Sequence, residues 1–273
     1  MSGKIYVVGT PIGNLGDFSP RAVEVLKQVD FIAAEDTRVT LKLLNHFGIK
    51  KETVSYYEHN KNKKGAYLIK RVLDGENLAI VSDAGMPAIS DPGEDIVREA
   101  HNLNVKVESV PGPSALVTAL SISGFKSGRF CFEGFLSVNK ISRKKHLEEI
   151  KNEKRTMVFY EAPHKLLKTL ADMREVLGER EICVLRELTK IHETVYRFDF
   201  TKALEYFTDN PPKGEFVLII AGKDEDEAPQ MSFEDAVKLA KKLQSEGKAL
   251  SLAAKEAATV SGFKKGEIYK ALI

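Results

Sequence analysis

The chain has 273 residues, of which 43% are hydrophobic and 29% charged, and its formal net charge is +2. A chain this long can bury a core without metal or disulfide staples. A near-neutral balance excludes a protein whose whole surface is a basic field for nucleic acid, so any such binding must rest on local patches.

The first residues, MSGKIYVVGTPIG, lack the apolar core of a signal peptide, and no run approaches the ~18 apolar residues of a membrane span. KIYVV (4–8) reads as a strand. The spacing predicts a helix over Pro20–Val29, with Ser19 as cap, Pro20 in the first turn, and Ala22, Leu26 and Val29 on one face. FIAAE (31–35) is a second strand, followed by the helical VTLKLLNHFG, which Gly48 can close. TVSYY, a helix near 65–74, LAIVS, a helix near 94–103 and KVESV (106–110) continue the alternation, and PGPSALVTALSISG leads into another helix. Strand–helix alternation of this kind implies a parallel sheet covered on both faces.

The pattern changes near Ser127. RFCFEGFL, a basic segment, RTMVFYEA and a helix over 163–177 are followed by EICVLREL and ETVYRFDF with no helix between them, which predicts an antiparallel pair. Cys131 and Cys183 lie in these apolar runs without CxxC spacing or a histidine cluster, so buried thiols in a reducing cytosol are expected and no metal site. A short helix near 201–207 and the strand EFVLIIAG close this region. KDEDEAPQ is a linker by composition, and the rest is helical, with Ser232 and Ser251 as N-caps and Gly262 as a stop. The organisation expected is an α/β domain over 1–122, a second over 123–222, a linker over 223–231, and a helix-turn-helix-like domain over 232–273.

Three loops rich in glycine and proline follow strands of the first region: GTPIGN (9–14), SDAGMPAISDPG (82–93) and VPGPSA (110–115). In an open parallel sheet the loops at the carboxyl ends of strands form the ligand crevice. Glycine lets a ligand approach the backbone and proline keeps the loop stiff. Single loops of this kind are often mere turns; three at one sheet edge point to a small-molecule site. The glycine spacing fits neither a P-loop nor G-x-G-x-x-G, although Glu35 and Asp36 stand where a dinucleotide site places its ribose-binding acid. Backbone groups, Asp83 and the hydroxyls of Ser90 and Ser114 suit a ligand with a ribose, an amino-acid end and a positive sulfonium.

The stretches GTPIGNLGDFSPRAVEVL, IAAEDTR, VSDAGMPAISDPG, VPGPSALVTAL, FEGFL, FYEAPHKL and RELTKIHE occur in this order between Gly9 and about Glu193, and AAKEAATVSGFKKGEIYKAL lies in the tail. In these the chain resembles the ribosomal RNA small subunit methyltransferase I branch of the tetrapyrrole methylases. The resemblance implies two α/β domains of the tetrapyrrole methylase type with the cofactor cleft between them, plus a small helical domain. It also implies S-adenosylmethionine as methyl donor, 2′-O-methylation of a cytidine ribose in the decoding region of 16S ribosomal RNA, and a homodimer. Carried over by motif, the donor would be held by Pro11, Ile12, Asp83, Gly85, Met86, Ser90, Ser114 and Ala115, with Tyr160, Glu161 and Leu188 from the second domain. Met86 and Ala88 stand where the family more often has Thr and Gly, and Ala162 and Lys165 where Ser and Arg are common.

Methyl transfer to a ribose hydroxyl asks for alignment and for a group that accepts the proton or steadies the charge. The residues in reach of that role are Asp36 and Arg38, His59 with Asn60, Glu161 and His164, and Arg186 with Glu187. Asp36, Arg38 and Glu161 are the leading ones. Each has a plain alternative: EDTR can be a helix start capped by Thr37, His164 can be a core or supporting group, and Arg186 can pair with Glu187. Phosphate contacts are expected from two basic loops, His59, Lys61, Lys63 and Lys64 in the first and Lys140, Arg143, Lys144 and Lys145 in the second. A corrin-type tetrapyrrole substrate is the alternative reaction, and an RNA- or donor-binding module without turnover the alternative class.

Overall fold

In the computed structural model the described residues are 2–223 and 231–273; the expected linker falls almost wholly outside them, and the side chain of Asn62 is also left out. The chain divides into two compact units, Met1–Gly222 and Lys223–Ile273.

The first unit begins with the expected alternation. Its elements are β1 (Lys4–Val8), α1 (Pro20–Gln28), β2 (Phe31–Ala34), α2 (Thr37–His46), β3 (Glu52–Ser55), α3 (Lys61–Leu73), β4 (Leu78–Val81), α4 (Glu94–Asn102), β5 (Lys106–Val110) and α5 (Ala115–Ser123). All pairings among the five strands are parallel, in the order β3-β2-β4-β1-β5. The central strands β2 and β4 are buried along their whole length, as a sheet sandwiched between helices requires. Ser19 caps α1 by accepting the Ala22 N–H, and Gly48, at φ +65°, follows the end of α2. α2 is capped by Asp36, whose side chain accepts the Arg38 N–H; Thr37 is already its first helical residue.

The second half of this unit consists of β6 (Phe130–Phe135), α6 (Lys140–Glu149), β7 (Thr156–Glu161), α7 (Leu166–Leu177), β8 (Glu181–Arg186), β9 (Thr194–Asp199), α8 (Phe200–Asp209) and β10 (Phe216–Ile220). Its sheet has the order β6-β7-β10-β8-β9, with β6 and β7 parallel and the remaining pairs antiparallel, including the expected β8–β9 pair. Helix α5 joins the halves: Ala119 and Leu120 pack with Val158, Cys183, Leu185 and Ile219 of the second sheet. Cys183 is buried and Cys131 only partly so; burial pushes their thiols up to about 11 and about 12, so neither is a nucleophile at neutral pH.

Both basic segments are helical rather than loops. α3 starts at Lys61 and α6 at Lys140. On α6, Arg143 shares a buried face with Leu147, and its guanidinium pairs with Asp172 of α7 at 2.8 Å and 2.5 Å while also donating to the carbonyls of Ser137 and Val138. The expectation that Arg143 contacts phosphate is therefore corrected: its side chain is 8% exposed and all three of its nitrogens are engaged within the fold. Lys144 leans on Glu175 and Lys61 bridges Glu58 and Asp95, while His59, Lys63, Lys64, Lys140 and Lys145 are exposed.

The second unit is three helices, α9 (Phe233–Ser245), α10 (Leu250–Ser261) and α11 (Lys265–Leu272), around Ala236, Ala240, Ala254, Ala257 and Ile268. Ser232 caps α9 as expected and Gly262, at φ +78°, ends α10. Ser251 is not a cap: α10 begins one residue earlier, after Ala249, and the Ser251 hydroxyl instead accepts from Lys265.

Candidate active site

Parallel strands deliver their carboxyl ends to one edge, so the loops after β1, β2, β4 and β5 meet there. Their meeting is backbone to backbone. Thr10 and Gly85 exchange N–H···O=C bonds at 2.9 Å and 3.1 Å. The Thr10 hydroxyl donates to the Ser82 carbonyl at 3.1 Å. Gly9 and Gly112 are so close that a Cβ on Gly112 would lie 2.8 Å from the Gly9 oxygen and 2.9 Å from its Cα. Neither position has room for a side chain. The Asp36 N–H donates to the Asp83 carboxylate at 3.0 Å, which ties the loop after β2 to the loop after β4.

Opposite this edge stand β7, the β8–β9 turn and the start of β10. A cavity of about 400 Å³ lies between the two sheets, within the first unit, a size usual for small-molecule sites. Of the residues carried over for the donor, Ile12, Asp83, Gly85, Met86, Ser90, Ser114, Ala115, Tyr160, Glu161 and Leu188 all line it, and Pro11 does not. Glu35, singled out in the sequence only as a dinucleotide-type ribose acid, lines it too, as do Ile89, Asp91, Phe135 and Val217, which the sequence reading did not name. Glu35 and Asp91 were on view in the IAAEDTR and ISDPG stretches; nothing local marked Phe135 or Val217.

Leu188 is held in the wall by an uncommon turn. Its neighbours Glu187 and Thr189 have φ of +53° and +63°, a region that costs side-chain-bearing residues of order 1 kcal/mol each. Glu187 is kept there by Lys190 and by the Glu215 N–H, both bound to its Oε1 at 2.9 Å. It does not pair with Arg186, whose Nε donates to the Lys213 carbonyl. The stem of Lys190 lies over Gly13, where a Cβ would meet its Cγ at 2.5 Å. This turn therefore touches the first loop of the opposite sheet.

The catalytic candidates fare unequally. Glu161 is buried, and both of its oxygens are engaged: Oε1 with the Ala162 N–H (2.8 Å) and Lys165 (2.9 Å), Oε2 with the Thr169 hydroxyl (2.5 Å). That arrangement fixes the start of α7, and Glu161 stands in the cavity lining with its carboxylate already bound to the chain's own groups. Asp36 and Arg38 are absent from the cavity lining. The Arg38 guanidinium beside Asp36 holds that carboxyl down at about 2, too acidic for a general base near neutrality. His164 is exposed rather than packed in a core. The Tyr160 hydroxyl accepts the Leu116 N–H at 2.9 Å, and burial raises its pKa.

Of the five carboxylates in the lining, Glu161 and Glu215 are paired with Lys165 and Lys190, and Glu35, Asp83 and Asp91 set the electrostatic signature. Burial pushes Glu35, Asp83 and Asp91 up; Asp91 adds to the effect on Glu35 and Asp83 to that on Asp91, while the Asp36 N–H pulls Asp83 partly back. A cation among them would be welcome. Groups raised in this way stabilise the folded chain most at low pH, and that contribution is lost as pH rises through their elevated values. A bound cation favours the ionised forms instead. Affinity for a cationic donor should thus climb as pH rises through the raised carboxylate range and then level, with protons released on binding in the lower part. Calorimetry in two buffers of different ionisation enthalpy, at a lower and a higher pH, should show that release diminishing as pH rises. Buffer-independent heats at the lower pH would mean that these carboxylates do not face the donor.

A family model described as Tetrapyrrole (Corrin/Porphyrin) Methylases matches residues 4–203. A protein of Synechocystis named ribosomal RNA small subunit methyltransferase I is 45% identical over 269 residues, covering 98% of this chain and 96% of that one. One of the same name from Escherichia coli O157:H7 is 44% identical and covers 98% and 94%. The chain belongs to the tetrapyrrole methylase family, in its ribosomal RNA small subunit methyltransferase I group. A group member from Thermotoga maritima, 45% identical over 222 residues, is matched along 100% of its length but covers only 81% of this chain. Among solved structures of tetrapyrrole methylase fold, uroporphyrin-III-C-methyltransferase from Thermus thermophilus superposes with a TM-score of 0.57 at 20% identity, covering 80% of this chain and 94% of that one. Diphthine synthase superposes with a TM-score of 0.61 at 15% identity, covering 81% and 90%. At such identities the likeness is one of fold.

Proposed function

We propose that this methyltransferase moves a methyl group from S-adenosylmethionine to the 2′-hydroxyl of a cytidine ribose in the decoding region of 16S ribosomal RNA, acting in the cytoplasm as a homodimer. The observation that carries the donor assignment is the cavity itself: a backbone cradle on one side, an apolar wall of Leu188 and Val217 on the other, and the carboxylates of Glu35, Asp83 and Asp91 in the lining. The donor supplies an already activated methyl on a sulfonium. The chain's residues therefore act chiefly by holding and aligning. Gly85 and the loop after β5 offer backbone groups, Ser90 and Ser114 offer hydroxyls, and the carboxylates complement the cation. The three carboxylates also weigh against a tetrapyrrole acceptor, because a macrocycle bearing many carboxylates would meet like charge. RNA presents an uncharged ribose and base there, while its phosphates suit the exposed Lys63, Lys64, Lys140 and Lys145.

The test is to incubate the protein with labelled S-adenosylmethionine and either naked 16S ribosomal RNA or assembled small subunits, then digest to nucleosides. Label in 2′-O-methylcytidine is the expected result. Label in a base-methylated nucleoside, or in none, would overturn the assignment.

A further inference from the structure

Phe132 and Phe135 are three residues apart on β6. In a regular strand, residues three apart point to opposite faces. Here both rings lie edge-on to the same ring, Tyr160, with centroids 5.0 Å and 5.5 Å away. The cause is a register shift between Phe132 and Gly134 in the pairing of β6 with β7, with Gly134 at φ +63°. Such a bulge puts an extra residue into one strand and re-aims the side chain beyond it. Gly134 has open space around it, so its positive φ, rather than crowding, is what calls for glycine.

The bulge turns Phe135 into the mouth of the cavity, where it remains 56% exposed. Burying that ring inside would be the ordinary outcome, and a strand without the bulge would point it the other way. Beside it, the Lys165 ammonium stands 5.5 Å from the ring centroid, fixed by Glu161 at 2.9 Å and by the Leu136 carbonyl at 3.4 Å. The ring is thus held between Tyr160 and Lys165 and is otherwise largely open to solvent. With Glu35, Asp83 and Asp91 at the same cavity, a phosphate is repelled there, and the uncharged part of an RNA chain is the part that can approach.

We propose that Phe135 is a stacking platform for a nucleobase of the RNA strand being methylated, aimed by the bulge at Gly134. The inference rests on the RNA methyltransferase reading above. Base–aromatic stacking is independent of base identity, so Phe135 would set the position of the ribose and not the choice of sequence. It is a positioning residue by this account.

The test compares wild-type protein with Phe135→Leu, which keeps apolar bulk, and Phe135→Trp, which restores a stacking face. Methylation of small-subunit RNA is measured alongside calorimetric affinity for S-adenosylmethionine. Phe135→Leu should lose about 10- to 100-fold in kcat/KM for RNA, as expected for one lost stack, with donor affinity within about 2-fold of wild type. Phe135→Trp should recover most of that loss. A Phe135→Leu variant that methylates like wild type would overturn the inference alone. So would a loss of donor affinity as large as the loss for RNA, which would place the ring against the donor. A wild-type protein that leaves RNA unmethylated would overturn the functional reading and this inference together.

Discussion

Replacing Gly112 with Ala should remove donor binding while leaving both sheets folded. The added methyl would sit 2.8 Å from the Gly9 oxygen and 2.9 Å from the Gly9 carbonyl carbon, and these are backbone atoms that no rotamer change can move. The loops after β1 and β5 must separate. Gly9 also faces the Met86 sulfur, where a Cβ would come within 2.6 Å, so a displacement is passed to the loop after β4. All three donor-facing loops shift together. A misplacement of the order of 1 Å in a pre-formed site commonly costs about 100-fold, and calorimetric titration with S-adenosylmethionine should find at least that loss. Circular dichroism should be unchanged, because the strands themselves are not crowded. Retained affinity in Gly112→Ala would mean that the donor does not use this cradle.

Arg143→Ala should be the most destabilising single change on α6, at about 3–5 kcal/mol, because it strands the Asp172 carboxylate inside. Both side chains are 8% exposed. The melting temperature of the first unit should fall by roughly 10 °C. Removing both charges with Arg143→Met and Asp172→Leu should return most of that loss, since a well-packed apolar pair can replace a buried ion pair. RNA affinity measured against salt separates the two roles considered for this arginine. The slope should be unchanged in the double variant and should flatten when Lys140 and Lys145 are replaced. A stable Arg143→Ala protein would contradict the buried pairing.

The contrast between these two sites says what a sequence can and cannot carry. Gly9, Gly85 and Gly112 were legible because a glycine in a loop after a strand is a local signal, and a parallel sheet gathers such loops without further information. The caps at Ser19 and Ser232 were legible for the same reason. Arg143 was misread because its neighbours Lys140, Lys144 and Lys145 look like a solvated run, while its partner Asp172 is 29 residues away. A hint existed: Leu147, four residues on, puts position 143 on the buried face. Glu161 lines the cavity as expected, but its partners were not legible, since the fold brings the Thr169 hydroxyl and Lys165 to its oxygens. Phe135 was invisible because a bulge changes which face a residue takes, and alternation patterns assume no bulge. At EDTR, Asp36 and Thr37 both suit a cap, and the choice fell to Asp36 because Arg38 anchors it from the other side.

The terminal three-helix unit is built around four alanines and one isoleucine. Small side chains let the helices approach closely but remove little apolar surface from water, and a unit below about 60 residues starts with a poor ratio of interior to surface. It should therefore be the first part of the molecule to exchange its amide hydrogens and the first that a protease trims. What digestion leaves behind would match in extent the Thermotoga relative, whose whole length is accounted for by 222 aligned residues. Such a remnant offers a ready means of asking which steps of the reaction the extra helices serve.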